Sequence, residues 1–356
     1  MTRVAAVDCG TNSLRLLVAD IGSGCGELAD VVRQMEIVRL GQGVDRTGRL
    51  AAGALGRTFD VLARYAETIA ATGAGAVRMV ATSATRDAAN AAEFTRGVRA
   101  ILGIEPEVIS GDEEAALSFA GATAELAAAG GMGPYLVIDI GGGSTEFVLG
   151  GHPAPSGHPA LSGHAAPSGP AARGGQAVRN GHAAQSARDA AGQITGSVSV
   201  DIGCVRMTER HLHGDPPRPA EIAAARSDID AALGVVARKV PRAGDATLVG
   251  LAGSVTTVAS IALGLPAYDA AAIHHARIPA AQVHAVAEQL LAQRRAQRAA
   301  IGVMHPGRVD VIGAGAMILD RAMARFGFRD VLVSEHDILD GIARSLAPAR
   351  EAHADG

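Results

Sequence analysis

The stretches VAAVDCGTNSLRLLV (residues 4–18) and YLVIDIGGGSTEFVL (residues 135–149) share one design. In each, an apolar run long enough for a buried strand ends in Asp-x-Gly, passes through small hydroxyl residues and resumes as a second apolar strand. That is the pattern of a β-hairpin whose turn can hold phosphate. Glycine lets the backbone approach an anion, successive N–H groups can point at its oxygens, and Ser and Thr add donors. Two such hairpins predict two related domains facing one polyanionic ligand.

Working outward, a strand is predicted over 31–40 and a helix over about 51–71, where Leu55, Phe59, Leu62 and Ile69 fall near helical spacing. VRMVATSATRDAAN (77–90) reads as a strand ending in hydroxyl residues and running into a helix begun at Arg86. The second copy, from Tyr135, is interrupted by the hexapeptides GHPAPS, GHPALS and GHAAPS (151–168) and a Gly/Ala-rich tract to about 192. Such composition predicts an expanded, exposed and flexible hairpin loop. His152, His158 and His164 occupy one position of the repeat, so its period accounts for their spacing without a metal. A strand and turn over 197–206, a helix around 221–240, a strand opening a helix in TLVGLAGSVTTVASI (247–261), a helix over 279–301 and a last unit in VLVSEHDILDGIA (331–343) follow. Three strands succeeded by alternating helix and strand predict an α/β fold with mixed sheets flanked by helices.

With 356 residues, 48% of them apolar, the chain can bury a substantial core, and its length favours two domains. A net charge of -4 and a pI near 6.3 give no general pull toward nucleic acid or an anionic membrane, so phosphate binding has to be local. The apolar run before Asp8 is too short for a signal-peptide core, and no stretch approaches the roughly 20 residues of a membrane span, so a cytoplasmic location is expected. Cys9, Cys25 and Cys204 are odd in number and lack CxxC spacing, which argues against a disulfide framework or a zinc site. The single lysine, Lys239, lies in a helical pattern, and no GxxxxGK[ST] loop exists. Walker-type NTPase chemistry and lysine covalent catalysis are thereby excluded.

Five motifs in order carry a resemblance that covers almost the whole chain outside 151–192: DCGTNSLR (8–15), ATSATRDAAN (81–90), SGDEEA (110–115), DIGGGSTE (139–146), and the pair AGSVTT (252–257) with AGAMIL (314–319). On these the sequence resembles the exopolyphosphatase/guanosine pentaphosphate phosphohydrolase family, within the actin, sugar-kinase and heat-shock ATPase superfamily. The resemblance implies two ribonuclease-H-like (actin-like) domains with the active-site cleft between them. Residues 1–120, joined by a C-terminal helix at about 336–349, would form one, and 121–335 the other. Since the sequence ends near residue 350, the match is to the short two-domain form, with weaker grip on very long polymers expected. The resemblance also implies a homodimer.

Hydrolysing a phosphoanhydride requires charge neutralisation, an in-line water and a group that orients or deprotonates that water. Asp8 and Asp139 end strands beside the two loops, where carboxylates can hold Mg2+; capping of their own turns is the alternative. Asn12 and Ser13 would line the first loop, and Gly141, Gly142, Gly143, Ser144 and Thr145 the second. A glycine triplet between two apolar strands has little packing value unless something approaches its backbone. Arg15 and Arg86 can fork onto phosphate oxygens, although Arg86 can equally pair with Asp87. Ser110 is a fair helix N-cap with Asp112, Glu113 and Glu114 in the first turn, which accounts for these acids without function. The resemblance adds that Glu114 is the base activating water and that Glu146 is a second carboxylate near it. Asp201, in a third Asp-x-Gly, is no motif position and is left out of the site.

The implied activity is Mg2+-dependent release of orthophosphate from the ends of inorganic polyphosphate, with guanosine pentaphosphate (pppGpp) as the alternative substrate. A sugar or acetate kinase of the same superfamily and a non-catalytic polyphosphate or alarmone sensor are the competing classes. The acidic SGDEEA segment, which suits water as the acceptor, speaks against the kinase.

Overall fold

The computed structural model describes residues 1–22, 28–131, 133–151, 193–241 and 243–347. β1 (Thr2–Cys9) and β2 (Ser13–Ile21) pair antiparallel with Asp8 opposite Arg15. β3 (Leu28–Ile37) extends the meander, and β4 (Ala76–Ala81) and β5 (Glu107–Val108) return parallel to β1, giving the order β3-β2-β1-β4-β5. The second sheet repeats the plan. β6 (Tyr135–Ile140) and β7 (Thr145–Gly151) pair with Asp139 opposite Glu146, β8 (Gln193–Val200) extends the meander, and β9 (Thr247–Leu251) returns parallel to β6. β10 (Arg277–Pro279) and β11 (Asp330–Val333) complete the order β10-β11-β9-β6-β7-β8. The hexapeptides, with His152, His158 and His164, fall between β7 and β8 and lie outside the described residues.

The helices are α1 (Val44–Thr47), α2 (Ala52–Thr72), α3 (Ser83–Arg86), α4 (Ala91–Leu102), α5 (Gly111–Ala128), α6 (Cys204–His211), α7 (Pro219–Lys239), α8 (Ala252–Ala262), α9 (Ala270–Ile273), α10 (Ala280–Ala292), α11 (Arg295–Ala299), α12 (Ile312–Phe326) and α13 (Ile338–Ser345). Central strands β1 and β6 are buried on both faces, which is why they read as continuous apolar runs rather than as alternations. On the first sheet, Leu62 and Tyr65 of α2 and Phe94 and Val98 of α4 cover one face, while Ile338, Leu339 and Ile342 of α13 cover the other. On the second, α5 covers one face through Ala115, Phe119 and Ala122, and the other carries the largest core, built with α7, α8, α10 and α12. Each fully buried Leu, Ile or Phe contributes about 1.5–3 kcal/mol.

Helices α5 and α13 therefore lie between the sheets. They meet backbone to backbone: a Cβ on Gly121 would stand 1.8 Å from the Asp337 carbonyl oxygen, and one on Gly341 2.1 Å from that of Leu117. No side chain fits at either position. Among the described residues, no helix is long and apolar enough to cross a membrane.

Three boundaries differ from expectation. The strand expected over 31–40 runs from Leu28 to Ile37. The helix expected over 279–301 is two, because Gln293 and Arg294 are extended, and a new start forms where the Gln297 side chain accepts the Arg294 N–H. Arg86 ends a four-residue helix instead of beginning one.

Candidate active site

The two hairpin turns are built alike. Gly10 N–H donates to the Ser13 carbonyl at 3.0 Å, and Gly141 N–H to the Ser144 carbonyl at 3.0 Å. They face each other across one cleft, with Gly142 and Gly143 packed against Thr11, whose hydroxyl is 2.8 Å from that of Ser83. The cleft is lined by Asp8, Asn12, Ser13 and Arg15 from the first lobe, Asp139, Gly141, Gly142 and Ser144 from the second, and Glu114 from α5.

The second loop has its carbonyls tied from behind. Cys204 N–H donates to Gly141 O, and Val205 and Arg206 N–H donate to Gly142 O. This requires Gly203, where a Cβ would stand 2.2 Å from Gly142 O. The glycine of the third Asp-x-Gly thus supports the loop, while Asp201 itself is exposed beside Arg206. Thr145 directs its hydroxyl to the Ile202 carbonyl, away from the cleft, and Gly143 meets Thr11 and Ser83.

Arg15 lies opposite Asp8 and bonds it through Nε at 2.9 Å and a terminal nitrogen at 2.6 Å; its other terminal nitrogen binds Asp337, the N-cap of α13. Its fork is thus shared between two carboxylates. Arg86 donates to the Ile109 carbonyl at 2.9 Å and to Glu114 at 3.2 Å, so the pairing with Asp87 is replaced: Asp87 binds Arg206 instead. The site lies where α5 starts, with Ser110 accepting the Glu113 N–H as its N-cap.

Four acids converge here and burial dominates their titration. Asp8 is raised above the usual carboxylate range by burial, against the opposing charge of Arg15. Burial and the charge of Asp337 push Asp139 up to about 6, although Ser118 donates to it at 2.7 Å. Burial and the charge of Asp139 push Glu146 up to about 7, although Ser199 donates to it at 2.7 Å. Glu114 is held well above its ordinary value by burial and by the charge of Glu146.

The residues fit a hard divalent cation. The Asp8 Oδ1 atom is buried without a hydrogen-bond partner, while its sister oxygen serves Arg15. Asp8 and Asp139 belong to no group of three imidazole, thiol or carboxylate ligands within 4.8 Å among the described residues. An ion that keeps most of its waters and takes one or two carboxylates suits that spacing, and such an ion is Mg2+-like.

Several cleft residues escaped sequence reasoning. Ser118 is one turn beyond Glu114, a spacing that puts both on one helix face. Asp337 precedes Asp340 by three residues in a capping box, a signal readable as a helix start and not as a partner for Arg15. Ala252 begins α8 with φ of 67°, and Gly253 beside it meets the Arg308 guanidinium. The AGS motif was visible; Arg308 carried no local signal.

The pattern of the Ppx/GppA phosphatase family matches residues 17–162 and 181–349. Exopolyphosphatase 2 of Mycobacterium tuberculosis is 46% identical over 358 aligned residues, which cover 98% of this chain and 99% of the relative. Among solved structures, an exopolyphosphatase-like protein gives a TM-score of 0.81 at 39% identity, covering 96% of this chain and 98% of that one. The Ppx/GppA family member of Aquifex aeolicus gives 0.71 at 26% identity over 97% of each chain. The paired actin-like α/β architecture is common to all three folds.

Proposed function

We propose, from the premise that this chain belongs to the Ppx/GppA phosphatase family, that it is a phosphoanhydride hydrolase acting as an exopolyphosphatase. It releases orthophosphate from the end of inorganic polyphosphate. The observation that carries this reading is the buried Glu114 facing a cleft shared by two glycine-bearing turns and the acids Asp8 and Asp139.

In this proposal the terminal phosphoryl group lies between the turns, and the N–H groups and hydroxyls of Asn12, Ser13, Gly141, Gly142 and Ser144 surround its oxygens, while Gly143, packed on Thr11 and Ser83, holds the two turns together. Thr145 supports that loop from behind. Asp8 and Asp139 hold Mg2+, which when bound neutralises phosphate charge. Glu114 takes a proton from water as its oxygen bonds to phosphorus and the bridging P–O bond breaks, the shortened chain leaving with the bridging oxygen. A base whose titration is raised toward working pH is well matched to that transfer. Glu146 is the second carboxylate near that water, and its charge raises the proton affinity of Glu114. Arg15 and Arg86 add positive charge at the rim while fixing Asp8 and Glu114. The proposal extends to two lobes, one on the first sheet with α13 and one on the second sheet, with the expected boundary at 120/121 falling inside the continuous helix α5, and to a homodimer in the cytoplasm.

A second reading, pppGpp 5'-phosphohydrolase, is favoured by one feature. A cavity continuing past Arg15, Ala252, Gly253 and Arg308 has Met35, Tyr268, Val303 and Met304 in its walls. Such walls suit an organic group, which polyphosphate lacks.

The test is orthophosphate release from polyphosphates of defined length and from pppGpp at matched Mg2+, with wild type and Glu114→Gln. The expected outcome is release from polyphosphate, a loss of about 10²–10⁴ in kcat for the variant, and retained binding. Release from pppGpp alone would favour the second reading. Acceptor-dependent ADP formation, or tight binding without any release, would refute both.

A further inference from the structure

A group of side chains outside the cleft has metal-ligand geometry. Glu125, near the end of α5, and His274 and His275, just after α9, each offer an atom within 4.8 Å of the others. His274 Nε2 is 2.9 Å from one Glu125 oxygen. His336, between β11 and α13, brings Nδ1 to 3.4 Å from the other oxygen and 3.9 Å from Asp340. The rings are nearly parallel, His274 lying 3.8 Å from His275 and 4.9 Å from His336.

We propose that Glu125, His274, His275 and His336 form a second cation site, separate from the phosphate cleft, that takes Zn2+. Three imidazoles and one carboxylate are the donor set of a borderline divalent ion, whereas Mg2+ prefers oxygen alone. Two observations beyond proximity support it. The His336 Nδ1 atom is buried with no hydrogen-bond partner, which costs free energy in a polar ring unless something binds it. His275 sits at φ of 61°, in the left-handed region that histidine tolerates, with its N–H held by the Val333 carbonyl at 2.7 Å, which sets its ring against that of His274.

One rearrangement accompanies binding. His274 Nδ1 accepts the Glu335 N–H at 3.2 Å, so its ring proton now lies on Nε2, facing Glu125. Coordination through Nε2 moves that proton to Nδ1 and gives up the 3.2 Å contact. The ion would then tie α5 to the α9–β10 and β11–α13 connections, beside the crossing of α5 with α13.

The experiment uses the full, untagged chain. Zn2+ binding is measured by isothermal titration and by metal content after gel filtration, in excess Mg2+ so that the oxygen site is occupied. Four proteins are compared: wild type, His275→Asn, Glu125→Gln, and a variant with His152, His158, His164 and His182 all changed to Ala. Asn tolerates positive φ, so His275→Asn removes a ligand without imposing a backbone penalty. Wild type and the four-histidine variant should each hold one Zn2+ per chain. His275→Asn and Glu125→Gln should bind it at least about 10–100-fold more weakly, by comparison with the loss of outer-shell partners elsewhere. Co2+ should report four-coordinate absorption that both variants lose. Equal Zn2+ affinity in wild type and both single variants, or binding that disappears with the four loop histidines, overturns the proposal.

Discussion

In the first lobe the residue paired across from the strand-end aspartate is Arg15; in the second it is Glu146. The strands, the turn hydrogen bond and the register are the same in both, yet one hairpin neutralises its acid and the other adds a second acid beside it. Asp8 therefore spends one oxygen on a fixed cation and leaves the other free, whereas Asp139 and Glu146 share a buried environment that raises both. A duplicated scaffold supplies two similar phosphate turns, and one cross-strand position decides which hairpin neutralises its acid and which one gathers acids. This difference ties sequence to function through packing, because burial turns an ordinary charge exchange into a change of titration.

The comparison breaks most severely at Arg15. Replacing Arg15 with Leu leaves Asp8 and Asp337 buried without their cation, and loss of one partner of a buried pair costs about 3–5 kcal/mol. Thermal or denaturant unfolding should record that drop, with Mg2+ restoring part of it.

At Glu146 the sign is opposite. Its native titration, about 7, lies above the unfolded value of 4.5, so between these the native state binds more protons than the unfolded state and stability falls as pH rises. Wild type and Glu146→Gln should be equally stable near pH 4, and at pH 8 without Mg2+ the variant should be more stable by on the order of 2–3 kcal/mol. Equal stability at both pH values would show that the second lobe's acids are solvated and that the contrast is one of sequence alone. Glu114 is raised as well, so wild-type turnover should rise with pH as that carboxyl loses its proton, read from a kcat profile.

Ser118→Ala sharpens the contrast on a smaller scale. It removes the 2.7 Å hydrogen bond that opposes the rise of Asp139, so Asp139 should titrate higher and the protein lose about 1–2 kcal/mol. A carboxyl-resolved NMR titration follows the first effect and thermal unfolding the second.

Much of this lay open in the sequence because the strand–turn–strand periodicity is local. Asp8, Asp139 and the turn residues were found from their own neighbours, as was Ser110 as a helix cap. What escaped depends on residues far apart in the chain: Arg15 with Asp337, Ser83 with Thr11, and Arg308 beside Gly253. For Arg86 the sequence offers phosphate or the adjacent Asp87, and not Glu114, because that partner comes from a separate helix 28 residues on. The break at Gln293–Arg294 was hidden because no Gly or Pro marks it, and an Arg-Ala-Gln run continues the helical composition.

The contact of Gly121 with the Asp337 carbonyl and of Gly341 with that of Leu117 has a mechanical consequence. At these two points no side chain stands between the helices, so nothing there can slide or compress, and relative motion of the lobes turns about that contact, with Leu117 packed on Ile338, Leu339 and Ile342 beside it. Displacement then grows with the lever arm, leaving Asp337 and its grip on Arg15 almost still while the mouth of the cleft travels furthest. A methyl group placed at that fulcrum would prop the halves apart and change how wide the mouth can shut without touching a single reacting atom.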